Sequence, residues 1–291
     1  MLVLVEQSLN GLQFGLLLFL LAAGLTLVFG IMDFVNLAHG SLYMMGAYFA
    51  ATFVAWTNSF VLGILLALGA TLLLGIALEF VALRHLYGRD HLDQVLATFG
   101  LILFFNDAVR LIWGPAGLSL PLPAWLTVPV QIVPGVSYPA YRLSIIVVAL
   151  AVAALLYLVV MRTRIGMLIR AGASNRAMVA ALGVNIQRVF AIAFFVGSML
   201  AGIGAVIGTS QTAVSNGTDG IWLLNSLVVV IIGGMGSLAG AAVGSMLYGL
   251  IGTFSAAYLP AGNTQYAVIF TFVLLAIVLA VRPYGIFGRP A

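Results

Sequence analysis

The stretch Met161–Arg188 reads MRTRIGMLIRAGASNRAMVAALGVNIQR and carries five arginines between two long apolar segments, Leu143–Met161 and Val189–Ser210. The whole chain of 291 residues is 64% hydrophobic and 6% charged, so a cluster this dense is not a fluctuation of composition. It reads as a water-facing surface that joins two membrane spans.

Working outward, a chain this apolar would expose large hydrophobic patches as a soluble domain, so the bilayer is its solvent. About 20 apolar residues cross roughly 30 Å of hydrocarbon as a helix, and runs of that length recur along the sequence. The fold class is therefore an all-α polytopic membrane protein, a single bundle over residues 1–291 with about eight to ten spans. The expected spans are Leu9–Ile31, Leu37–Trp56, Phe60–Leu83, Gln94–Trp113, Leu143–Met161, Val189–Ser210, Ile221–Met235, Leu238–Leu259 and Tyr266–Val281. Glycines between Ile221 and Leu259 leave open a broken or re-entrant segment there. Met1–Asn10 carries Glu6 and no basic residue, and no small-residue cleavage site follows, so the first span is expected to be retained.

Charge fixes the expected orientation. With the amino terminus outside, Arg84, Arg89, Arg162, Arg164, Arg170, Arg176, Arg188, Arg282 and Arg289 fall on the cytoplasmic side against Arg110 and Arg142 opposite, as the positive-inside bias requires. The carboxyl terminus is then cytoplasmic. The formal charge of +4 is a consequence of topology, and no basic stripe interleaved with aromatics suggests a nucleic-acid partner. On the outer side, residues 114–141 hold Pro115, Pro121, Pro123, Pro129, Pro134 and Pro139, which forbid a continuous helix. That segment reads as a stiff interfacial loop or a platform for an external protein.

Several chemistries are excluded. There is no cysteine, hence no disulfide, thiolate ligand or cysteine nucleophile. All 11 basic residues are arginine, so neither a Walker A lysine nor a lysine Schiff base exists. His39, His85 and His91 do not form H-E-x-x-H, no G-x-S-x-G elbow is present, and no metal site is expected. His85 and His91 sit with Arg84, Arg89, Asp90 and Asp93 in a short mixed-charge connector. Asp107 and Arg110 are spaced to pair on one helix face, as are Glu79 and Arg84 near the other end.

Within the arginine run, Ser174 is expected to cap a short helix over Asn175–Leu182, and Gly183 to stop it. Met178, Ala181 and Leu182 then share one face, leaving an apolar ridge on a polar loop. Arg170 and Arg176 flank it. The arginines serve topology and anionic headgroups on one reading; the surplus of charge plus a capped apolar ridge favours a protein partner that receives the helix in a groove. Elsewhere, Asp33, Asn36 and His39 place polar groups between two apolar runs with Gly40 at the end. They form either an interfacial turn or a discontinuous helix. Gly236, Gly240 and Gly244, and Gly204 with Gly208, repeat every four residues and read as close helix packing, with a glycine-lined path as the alternative.

Ala180-Ala181-Leu182-Gly183 and the span after Arg188 resemble the coupling loop of bacterial ATP-binding-cassette (ABC) importer permeases. Asn10-Gly11, Gly24-Leu25-Thr26-Leu27-Val28-Phe29-Gly30-Ile31, Asn36-Leu37-Ala38-His39-Gly40 and Gly46-Ala47-Tyr48 are similar to the LivH-type permease of branched-chain amino-acid importers, although Leu37 stands where phenylalanine is common. Ile231-Ile232-Gly233-Gly234-Met235-Gly236-Ser237 agrees with that family's glycine-rich later half. The resemblance covers nearly the full length. It implies an inner-membrane transport subunit that binds no cofactor itself, with ATP and Mg on two partner ATPases, a second permease, and a periplasmic substrate-binding protein. It further implies that Arg170, Ser174, Asn175, Arg176, Met178, Ala181, Leu182 and Gly183 dock an ATPase. Asp33, Asn36, His39, Gly40, Gly233 and Gly234 become candidates for the translocation path. The competing expectation is a stand-alone secondary carrier, whose proton relay would need more mid-span charge than this chain has.

Overall fold

Helix dominates because apolar residues run without interruption and the backbone must satisfy itself where water is absent. In the computed structural model, which describes residues 2–33, 36–133, 136–260 and 262–288, the order is α1 (Leu2–Met32), α2 (His39–Thr57), α3 (Phe60–Val81), α4 (His91–Trp113), α5 (Ala124–Thr127), β1 (Pro129–Val133), β2 (Val136–Pro139), α6 (Ala140–Arg162), α7 (Arg164–Ser174), α8 (Arg176–Ala181), α9 (Ile186–Gly208), α10 (Thr218–Gly233), α11 (Leu238–Tyr258) and α12 (Ala267–Val281). Pro134 and Arg289, named above, lie outside the described residues.

Each expected span has its long helix. Seven of these, α12 counted with the helical turn that leads into it from Thr264, are long and apolar enough to cross a membrane on their own; α2 and the 16-residue α10 are the two that are not. The protein is a multi-pass membrane protein. At 1.5 Å per residue α10 is about 24 Å long, less than the hydrocarbon thickness. Its shortness fits the expectation of a re-entrant or broken segment in this region.

The core is built around α1. Every residue from Gly15 to Val28 is buried, as expected of a helix apolar on all sides. It packs along α11 and α9 and also touches α10, α6 and α7, while α2 lies against α3 and α9. Glycines set how near the helices come. A Cβ on Gly249 of α11 would fall 2.5 Å from the Gly11 carbonyl oxygen and 2.7 Å from the Gly15 Cα. Gly240 and Gly244 likewise meet the backbone at Gly233 and Val229 of α10, so this ladder packs helices.

The proline-rich connection holds structure that the sequence did not announce. β1 and β2 form an antiparallel hairpin, and Leu118 pairs with Val214 in the connection between α9 and α10. The buried Tyr138 hydroxyl bonds Asn10 Oδ1 at 2.9 Å and Gln13 Oε1 at 3.2 Å, and Arg142 donates to Asn10 Oδ1 at 2.8 Å. The loop is thus bound to the start of α1.

Candidate functional site

At the arginine-bearing end the loop folds into two helices rather than one. Thr163 caps α7, its hydroxyl accepting from Gly166 N at 3.1 Å. Ser174 is the last residue of α7, so it does not cap the next helix. Asn175 is extended (φ −156°), and its Oδ1 accepts from Met178 N at 2.9 Å. The expected cap is therefore displaced by one residue. An asparagine that breaks the backbone direction can end one helix and start another, which Ser174 inside a helical turn cannot. α7 was missed because two arginines and two glycines interrupt the apolar residues of Arg164–Ser174. Its Gly166, Ile169 and Gly172 nevertheless form a buried stripe.

Six-residue α8 ends as expected, with Gly183 at φ +83°. Val179 alone turns inward. Met178 is 59% and Leu182 76% exposed, with Ala181 exposed beside them. The arginines divide. Arg170 folds back on the end of α6, donating to the Val160 carbonyl and approaching Met161 Sδ at 3.3 Å. It thereby serves a helix C-terminus. Arg176 reaches the end of α1, with Nη2 3.7 Å from Asp33 Oδ2 and Nη1 donating to Met32 O at 3.3 Å.

Asp33 holds the left-handed conformation at φ +52°, which aspartate tolerates better than most residues. Asn36 is buried, and its Oδ1 accepts from Ala38 N at 3.1 Å. His39, with no exposed surface, sets Nε2 3.2 Å from the Leu21 carbonyl oxygen and lies flat against Gly24, where a Cβ would come 2.9 Å from that nitrogen. Leu21 is eleven residues before Met32, about 16 Å along α1. Helix α2 therefore starts alongside the interior of α1, well short of the level of its Met32 end. His39 Nδ1 and Asn36 Nδ2 are buried without a hydrogen-bond partner.

The six path candidates separate into two groups. Gly40 packs on the Asp219 backbone at the start of α10. Gly233 and Gly234 lie at the other end of α10, about 21 Å away. There they meet Gly240, Gly285 and Gly288, and Ile286 N and Phe287 N each donate at 2.9 Å, to Ile232 O and Gly233 O.

Three residues escaped the sequence reading. Asp219, 2% exposed, accepts at Oδ2 from Ser41 Oγ at 3.1 Å and from Asn106 Nδ2 at 2.7 Å. Asn106 Oδ1 in turn accepts from Gly217 N at 2.9 Å. This set joins α2, α4 and α10. A signal existed, since Asp219 is the sole charged residue between Arg188 and Arg282. The run Ser215–Gly220 read as a loop because it is polar and glycine-rich.

The expected charge pairs are otherwise arranged. Asp107 and Arg110 are both exposed, and the one ion pair among the described residues is Arg176–Asp33. Buried Glu79 accepts from the Tyr87 hydroxyl at 2.9 Å, while Arg84 lies 5.5 Å over the Phe80 ring. Burial, and then the Glu79 charge, push the Tyr87 phenol above its ordinary range, so it remains a donor at neutral pH. Among the described residues no three of His, Asp or Glu converge to hold a metal.

Comparison with known proteins covers almost the whole chain. The family model described as "Branched-chain amino acid transport system / permease component" matches residues 7–279. The chain is 33% identical to the high-affinity branched-chain amino acid transport system permease protein BraD of Pseudomonas aeruginosa, over 98% of this chain and 96% of that protein. It is 30% identical to LivH of Escherichia coli K12 over the same shares, and 24% identical to a probable LivH of Methanocaldococcus jannaschii over 94% and 89%. No solved structure matches. A bundle of apolar helices and an end-to-end match with these permeases lead to one conclusion: the chain belongs to the permease-component family of branched-chain amino acid transport systems.

Proposed function

We propose that this chain is the membrane-spanning subunit of an ABC importer that moves branched-chain amino acids inward by alternating access. It works with a second, related permease, two ATPases that bind ATP and Mg, and a periplasmic substrate-binding protein. The amino terminus faces outward and the arginine-bearing end faces the cytoplasm, with nine arginines there against two opposite.

The observation that carries the mechanism is α8, a capped helix with Met178, Ala181 and Leu182 uncovered on water-facing ground. An exposed apolar ridge of this spacing suits a groove on a partner. Arg176 joins the first residue of that peg to the end of α1, the helix buried on all sides. Motion of the ATPase against α8 is delivered to α1 and thence to α9, α10 and α11. Two packings of these helices, opening to opposite sides, are what nucleotide binding biases.

The test is purification of the assembled complex from its native membrane. Co-isolated ATPases whose hydrolysis rises with leucine-loaded binding protein support the reading. A lone permease that takes up leucine in liposomes on an ion gradient overturns it.

A further inference from the structure

We propose that Asp219 receives the ammonium group of the transported zwitterion within the membrane, an inference that rests on the amino-acid importer reading above. A carboxylate in a spanning bundle is stable only when paired or fully hydrogen-bonded, and such groups mark solute routes. Asp219 is 2% exposed, and both of its donors, Ser41 Oγ and Asn106 Nδ2, converge on Oδ2. Among the described residues Oδ1 has no hydrogen bond and no cation pairs with Asp219, since the single ion pair lies at the far end of α1. Arg110, on the same helix as Asn106, is exposed and outside any ion pair. The protein supplies dipoles to this acid and no counter-charge.

Depth and access agree with a solute carrying that charge. Ser41 is in the first turn of α2, whose His39 is anchored at the Leu21 carbonyl within the length of α1. Gly217 and Gly220 flank Asp219, both are exposed, and a Cβ on either would meet nothing within 4 Å. Open space thus adjoins the chain close before and just after Asp219. An ammonium has three donors to share between Oδ1 and Oδ2, and it can take the place of Asn106 Nδ2. Three helices then register its arrival through one side chain.

The experiment uses the complete transporter in nanodiscs without the binding protein and measures saturable binding of L-leucine. Competitors are 3-methylbutylamine, which lacks the carboxylate, and 4-methylpentanoate, which lacks the ammonium. The amine should compete and the acid should not. Asp219→Asn should weaken leucine and amine binding roughly tenfold or more. Equal competition by the acid, an unchanged Asn variant, or no saturable leucine binding overturns the proposal. If the Asn variant does not assemble, the order of competitors on the unaltered complex decides. A merely structural Asp219 would not distinguish ammonium from carboxylate, and failure of the importer reading would appear separately, as absence of stimulated hydrolysis in the unaltered complex.

Discussion

Arg176, the first residue of α8, lies with Nη2 3.7 Å from Asp33 Oδ2 and donates through Nη1 to the Met32 carbonyl 3.3 Å away, so α8 is tied to the last turn of α1. Both side chains are about half exposed, and such a pair contributes at most about 1 kcal/mol to stability. On the proposed coupling mechanism its value is mechanical. Arg176→Ala and Asp33→Ala should leave melting of the complex nearly unchanged while raising the ATP hydrolysed per leucine imported. A double variant should do no further harm. Equal coupling ratios for variant and unaltered complexes would remove this link from the mechanism.

Met178→Asp or Leu182→Asp puts a charge on the exposed ridge without touching the buried Val179. Membrane insertion should be intact and co-purification of the ATPases lost. An unaltered ATPase yield on affinity capture would show that the ridge is not the docking face.

The cap of α8 separates two neighbouring residues. Asn175→Ala removes the acceptor for Met178 N and should cost about 1 kcal/mol locally, read as faster hydrogen exchange over residues 176–181. Ser174→Ala, within α7, should leave that exchange unchanged.

Gly249→Val drives a side chain into the backbone of α1 at Gly11 and Gly15. Overpacking of this kind costs about 1–3 kcal/mol, visible as a lowered thermal midpoint. Gly69→Ala, where a Cβ meets nothing within 4 Å, should hold or raise the midpoint, because alanine favours helix over glycine by about 1 kcal/mol.

The spans were legible because long apolar runs have few other solutions in a bilayer, and Gly183 was legible as a stop because a left-handed residue favours glycine. Asp219 was not. Its significance lies in Ser41 and Asn106, which are far from it in sequence, and a short polar run looks the same whether it lies in water or folds back into the bundle. The same limit hid α7, whose buried stripe of Gly166, Ile169 and Gly172 is mostly glycine, and the Tyr138 bonds that bind the β1–β2 hairpin to α1. The His39 region was half legible: glycines suggested a broken path, and only the Leu21 contact fixed where along α1 it lies.

The absence of native cysteine permits the most direct measurement. A single cysteine at position 178, Met178→Cys, is probed in native vesicles of known sidedness with a membrane-impermeant thiol reagent and a short bifunctional crosslinker. Labelling from the cytoplasmic face only, and a crosslink to an ATPase subunit that forms when the complex is assembled, is the expected result. Labelling from the outer face, or cytoplasmic exposure with no ATPase crosslink in a transport-active complex, would contradict the claim that α8 carries the ATPase's motion into the membrane.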